Sequence, residues 1–163
     1  MNTYAGPTSN GLIVFSFIAA LILTAMPLPE WLRPFRPDWV AMVLIYWCLV
    51  LPSRINVGIG WFMGLLVDVL TASLLGQHAM ALAIVAFITI NIHLQIRVYP
   101  IWQQALSVFV LIALSQLLVI WVKGIIGAAP QTWLYWSSSM VSAFIWPALF
   151  ILLRNMRRQF RVK

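Results

Sequence analysis

Residues 101–126 read IWQQALSVFVLIALSQLLVIWVKGII, and from Arg97 to Lys123 the chain carries no intervening charge. A helix that crosses a bilayer needs about 20 mostly apolar residues. A soluble helix needs a polar face, and this run has none. The same pattern recurs on both sides of it. Residues 11–26 form a first apolar run, closed by Pro27 and Pro29. Residues 38–51 form a second, closed by Pro52, and residues 56–75 a third, closed by Gly76. Residues 79–96 form a fourth, ended by Arg97 and Pro100, and residues 133–153 the last, ended by a basic tail over 154–163. Proline removes a backbone donor and clashes with the preceding turn, so it punctuates the runs. The predicted fold is all-α: a polytopic transmembrane bundle of about six helices in one membrane domain. The second run is short for a span, and segments of that length can be re-entrant or buried instead. Pro147, inside the last run, predicts a kink.

Composition agrees. Of the 163 residues, 63% are hydrophobic and only 8% charged, against roughly 25% charged in a soluble domain. No loop exceeds about 11 residues by this parsing. That leaves no room for the soluble domain of a transport ATPase, a kinase or a periplasmic hydrolase. Five of the ten basic residues fall in the last ten positions: Arg154, Arg157, Arg158, Arg161 and Lys163. Nucleic-acid binding is one reading of such a tail, but the positive-inside rule already accounts for basic residues abutting a membrane helix. Six spans put Arg54, Arg97 and the tail on one side, and Arg33, Arg36 and Lys123 on the other. This bias predicts a membrane protein with both termini cytoplasmic. Residues 1–10 hold no Lys or Arg, so the first run is expected to be a retained helix rather than a cleaved signal. Trp31, Trp39, Trp102, Trp133 and Trp136 fall near predicted helix ends, where amphipathic rings sit at the headgroups.

Chemistry is sparse. Cys48 is the single cysteine and lies in an apolar run, so neither an internal disulfide nor a zinc spacing exists. His78 and His93 are far apart and lack carboxylates at metal spacing; both read as interfacial polar residues. Ser137, Ser138, Ser139 and Ser142 have no neighbouring base, as a nucleophile requires, and read as helix-packing hydroxyls. The expectation is no catalytic constellation, no metal and no cofactor.

The third run carries the strongest pattern. Asn56, Gly60, Gly64, Asp68, Ala72 and Gly76 recur every four residues and share one slowly drifting helix face. Gly60 and Gly64 form a small-xxx-small motif that admits a second backbone. Packing inside the bundle is one use of this groove, and a partner surface is the other. Asp68 is the acid well inside a span, where a charge costs about 2.5–3.5 kcal/mol. It is expected to face protein, with Asn91, His93, Gln95, Arg97, Gln104 and Ser107 as candidate partners. In the first loop, Arg36-Pro37-Asp38-Trp39 resembles a rigid helix start and a docking surface on the outer face.

Several stretches carry a resemblance. They are Phe35-Arg36-Pro37-Asp38-Trp39, Tyr46-Trp47, Leu51-Pro52-Ser53-Arg54-Ile55-Asn56-Val57-Gly58, the series Gly60, Gly64 and Asp68, Leu75-Gly76, Ala79-Met80-Ala81, Trp102-Gln103-Gln104-Ala105-Leu106, Trp136-Ser137-Ser138 and Trp146-Pro147. Together they resemble the bacterial rod shape-determining MreD family over most of the chain. The resemblance implies a non-enzymatic scaffold of the cell-elongation machinery that organises lateral peptidoglycan synthesis. It implies MreC as the bitopic partner, with MreB, RodA and a class B penicillin-binding transpeptidase in the wider complex. It also implies a bundle similar in outline to the substrate-binding subunits of energy-coupling-factor transporters. That likeness keeps a small-molecule-binding transporter subunit as the alternative. Under the scaffold reading, Gly60, Gly64, Asp68, Arg36, Pro37 and Trp39 are expected at the MreC contact, and Gly64→Leu is expected to weaken that contact without affecting insertion. Arg154, Arg157, Arg158, Arg161 and Lys163 are expected to meet anionic lipid or the cytoplasmic filament.

Overall fold

The computed structural model describes residues 7–127 and 132–159. Six helices follow one another: α1 (Pro7–Ala25), α2 (Trp39–Val50), α3 (Val57–Leu70), α4 (Gln77–Arg97), α5 (Ile101–Ile125) and α6 (Ser137–Gln159). Short 3₁₀ turns at Arg33–Phe35 and Trp133–Trp136 precede α2 and α6. No strand occurs among the described residues, so the helical bundle read from the sequence is the fold. Three segments, Gln77–Arg97, Ile101–Ile125 and Trp133–Gln159, are each long and apolar enough to cross a membrane.

The bundle is apolar outside and holds its polar groups within. Phe15, Phe87, Leu117 and Phe144 face outward, while Asp68, Gln77, Thr89 and Ser142 are buried. Water would not tolerate so large an apolar surface, and lipid covers it without cost.

The short second run is the centre of the molecule. Val40 through Leu49 are all buried, and α1, α4, α5 and α6 pack around them. A helix apolar on every face belongs in such a position. Twelve residues rise about 18 Å, less than the roughly 30 Å hydrocarbon thickness. The surrounding helices, rather than lipid, are its solvent. The Trp47 indole Nε1–H donates to the Ser16 hydroxyl at 2.8 Å, tying α2 to α1. The Tyr46 ring stacks edge-on against Phe150 of α6. Cys48 is fully buried on this helix. Its labelling by a membrane-permeable maleimide is therefore expected to run about a hundredfold or more slower in the folded protein than in denaturing detergent. Equal rates would show that α2 is not enclosed.

Several boundaries differ from the sequence reading: α1 begins at Pro7 rather than at 11, and α6 at Ser137, after a 3₁₀ turn, rather than at 133. α3 stops at Leu70 rather than at 75, because the chain turns there through Ala72 (φ 52°) and Gly76 (φ 101°). Few non-glycine residues adopt positive φ; here the turn is held by the Asp68 carboxylate, which accepts from Ser73 and Gly76 just beyond Ala72. α4 begins two residues early, at Gln77. α6 continues through Pro147 to Gln159, so residues 154–159 are helix rather than tail. Arg161 and Lys163 lie outside the described residues.

The first loop is bound to the start of α6. Ser137 Oγ donates to Pro34 O at 2.6 Å, and Ser138 Oγ donates to Arg36 O at 2.6 Å. The Asp38 backbone N–H donates to Ser142 Oγ at 2.9 Å. These hydroxyls, expected to pack helices, instead hold a loop of the chain against α6.

Candidate functional site

Two polar constructions stand out in this apolar chain, and both lie where α3 gives way to α4. The first is built on Asp68, which is 1% exposed. Its Oδ1 accepts from the Ser73 hydroxyl at 2.9 Å, from the His78 backbone N–H at 3.0 Å and from His78 Nδ1 at 2.7 Å. Its Oδ2 accepts from the Gly76 N–H at 2.8 Å and the Ala79 N–H at 3.4 Å. A helix start leaves its first N–H groups without partners. α4 has Gly76 at its N-cap and no capping side chain of its own. Asp68 supplies the cap from the preceding helix, and its charge favours the positive end of α4.

This corrects the expected partners of Asp68. Asn91 bonds back to Phe87 O, His93 Nδ1 lies against Ile90 O, and Ser107 bonds to Gln103 O. The Gln104 amide donates toward Ile96 O and Tyr99 O. His78, read from the sequence as a lone interfacial residue, is the true partner.

The glycine face is likewise occupied from within. A Cβ added at Gly64 would lie 2.3 Å from Ala79 Cα and 2.5 Å from His78 O. One added at Gly60 would lie 3.0 Å from both Ala86 Cβ and Leu82 O. The groove predicted on α3 is filled by α4 of the same chain. It therefore presents no open surface to a partner helix, and Gly60, Gly64 and Asp68 are positioned as internal packing residues.

The second construction is a recess of about 310 Å³ at the end of the bundle where α1, α3 and α5 finish and α2, α4 and α6 start. Arg33, Arg36, Pro37, Asp38, Gln77, His78, Gln116, Lys123 and Tyr135 are among its lining residues. Arg36 and Pro37 of the expected site are therefore here, while Trp39 begins α2 beside it, half-buried. Arg36 reaches back to α1: one terminal guanidinium nitrogen donates to Thr24 O at 2.6 Å and the other to Met26 O. A cation on the carbonyls at a helix C-terminus matches the dipole. Asp38 caps α2, accepting from the Ala41 N–H at 3.3 Å. The Lys123 ammonium sits 5.5 Å from the Tyr135 ring centre. Arg154, Arg157 and Arg158 lie on the last turns of α6, at the opposite end of the bundle.

Sequence reasoning missed Gln77, Gln116 and Tyr135 because nothing in spacing joins the α4 start to the middle of α5 and the turn before α6. It had a signal for the Asp68 cap. A glycine at a helix start, with no Ser, Thr, Asp or Asn to cap it, needs an acceptor from elsewhere.

The family model for rod shape-determining protein MreD matches residues 7–156. The rod shape-determining protein MreD of Haemophilus influenzae is similar throughout: 29% identical over 150 residues, which are 92% of this chain and 93% of that protein. No solved structure matches the chain significantly. A six-helix membrane bundle, matched over nearly its whole length by one family, belongs to the rod shape-determining MreD family.

Proposed function

We propose that this chain is a non-enzymatic inner-membrane scaffold of the cell-elongation machinery, binding MreC and helping to organise lateral peptidoglycan synthesis. MreB, RodA and a class B penicillin-binding transpeptidase complete the complex. The observation that carries this reading is the distribution of the chain: the described residues lie almost wholly in bundle helices joined by short turns. Such a molecule acts on others by contact. We further propose six crossings, with both termini cytoplasmic, from the seven-to-three bias of basic residues between the two ends. The basic end of α6 then faces anionic lipid, worth about 1 kcal/mol per Lys or Arg near the surface.

With the α3 glycines covered, the contact for MreC moves to the outer surface. Between α1 and α3 lies a recess of about 250 Å³, lined by Ile18, Leu21, Ile22, Ala25, Leu66, Val69 and Leu70. It offers a further apolar helix a concave seat beside the first loop. Filling it with Ala25→Trp is expected to cut co-purified MreC about tenfold. Leu106→Trp, on an exposed part of α5, is expected to leave recovery unchanged. Equal recovery from both variants would remove the α1–α3 seat.

The proposal as a whole is tested by detergent pull-down from native membranes. Recovery of MreC with RodA and the transpeptidase supports the scaffold. Recovery of an energising ATPase module without cell-wall proteins overturns it in favour of a transporter subunit.

A further inference from the structure

The recess at the α4 start has an unbalanced wall. Its fixed cations are Arg33, Arg36 and Lys123, and its lining carboxylate is Asp38, already engaged as the α2 cap. His78, the remaining titratable group on the α4 side, faces Asp68. Among the described residues, neither Arg33 nor Lys123 has a carboxylate within ion-pair distance. Lys123 has only the Tyr135 ring face, 5.5 Å away.

Three residues of the same wall also each carry a buried polar atom without a partner. Gln77 is 3% exposed and its amide Nε2 has no acceptor. Gln116 is 7% exposed; its Nε2 donates to Tyr135 O at 3.4 Å, but its Oε1 has no donor. Arg36 Nε has no acceptor either. Buried polar atoms are almost always hydrogen-bonded, so a cluster of orphans calls for an explanation. Two orphan donor groups and two unpaired cations together need an acceptor that is negative and has several oxygens. A carboxylate brings two oxygens; a phosphate brings more and suits Arg and Lys alike. The lone acceptor, Gln116 Oε1, suits a hydroxyl on the same ligand. The volume is at the small end of ligand sites and holds a headgroup rather than a whole lipid.

We infer that this recess binds a phosphate ester, with Lys123 and Arg33 supplying charge, Gln77 and Arg36 donating to phosphate oxygens, and Gln116 accepting from a ligand hydroxyl. The ester is either the headgroup of an anionic phospholipid or a free small molecule. The chemistry is the same, and such a site stands whether or not MreC is the partner.

The test uses the full chain in a neutral detergent, stripped of lipid and followed by native mass spectrometry. Two probes are offered separately: phosphatidylglycerol and glycerol 3-phosphate. One probe is expected to bind at one per chain, and Lys123→Gln is expected to weaken it about tenfold with an unchanged melting temperature. Gln77→Leu should do the same where it folds. The double change Arg157→Gln, Arg158→Gln, at the far end of α6, should leave binding as it was. Retention of phosphatidylglycerol alone identifies a lipid headgroup, and binding of glycerol 3-phosphate identifies a soluble ester. Binding of neither probe overturns the site. So does a folded Lys123→Gln that binds like the parent, or a loss as large in the far-end variant.

Discussion

Gly64→Leu is expected to destabilise the bundle by about 3 kcal/mol, at the upper end of overpacking effects, and to lower the amount of folded protein in the membrane. The Cβ alone would meet Ala79 Cα at 2.3 Å, and the obstacle is backbone rather than a movable side chain. α3 and α4 must separate for the substitution to fit. Separation would also pull Asp68 away from the α4 N–H groups it caps. Gly64→Ala should already show most of the effect. Gly124→Ala, where a Cβ meets nothing within 4 Å, should show almost none. Unfolding in increasing fractions of sodium dodecyl sulfate, followed by circular dichroism, measures the difference. A Gly64→Leu protein as stable as the parent, with only MreC recovery reduced, would restore the open groove expected from the sequence and remove the seam described above.

Replacing Asp68 comes second in expected effect. Asp68→Ala leaves the N–H groups of Gly76, His78 and Ala79 and the Ser73 hydroxyl without their acceptor. Hydrogen bonds to a charged group contribute about 1.5–3 kcal/mol each in favourable cases, but they share one carboxylate and do not add. A loss of about 2–4 kcal/mol is expected. Asp68→Asn should fall between Ala and the parent, since its amide nitrogen would turn a donor toward donors. His78→Ala removes one contact of the carboxylate and leaves the backbone cap, so its cost should be smaller. A double-mutant cycle between positions 68 and 78 is expected to give a coupling of about 1 kcal/mol or more. No coupling in detergent-solubilised protein would mean that the 2.7 Å contact contributes nothing to stability.

These two residues also show how far the sequence could be read. The class of fold needed no tertiary information. Apolar runs of membrane-crossing length, separated by Pro, Gly and Arg, admit one solution in lipid, because each backbone group must be bonded within its own helix. The family was legible for the same reason that motifs are: Phe35 to Trp39, Leu51 to Gly58 and Trp146-Pro147 are local strings. Even the four-residue repeat from Asn56 to Asp68 correctly marked a face of close approach.

What lay on that face could not be read. A small-xxx-small pattern states that a backbone comes near, not whose backbone it is. The tertiary structure answered with α4, and so moved Gly60 and Gly64 from a partner surface into the interior. The partners of Asp68 were misjudged because a membrane carboxylate was matched to distant side chains, when the nearest donors were backbone N–H groups across the turn at Thr71–Gly76. Helix lengths shifted for a similar reason: α3 ends at Leu70 because that turn brings Asp68 onto α4, not because hydrophobicity stops there. The polar recess belongs wholly to the tertiary level. Arg33, Gln77, Gln116 and Lys123 lie on three different segments, the turn before α2, the start of α4 and the second half of α5, and only the up-and-down packing of the helices brings them to one end. Lipid solvation acts on each segment separately and is written in its composition. Close packing acts between segments and depends on shape, which composition does not record.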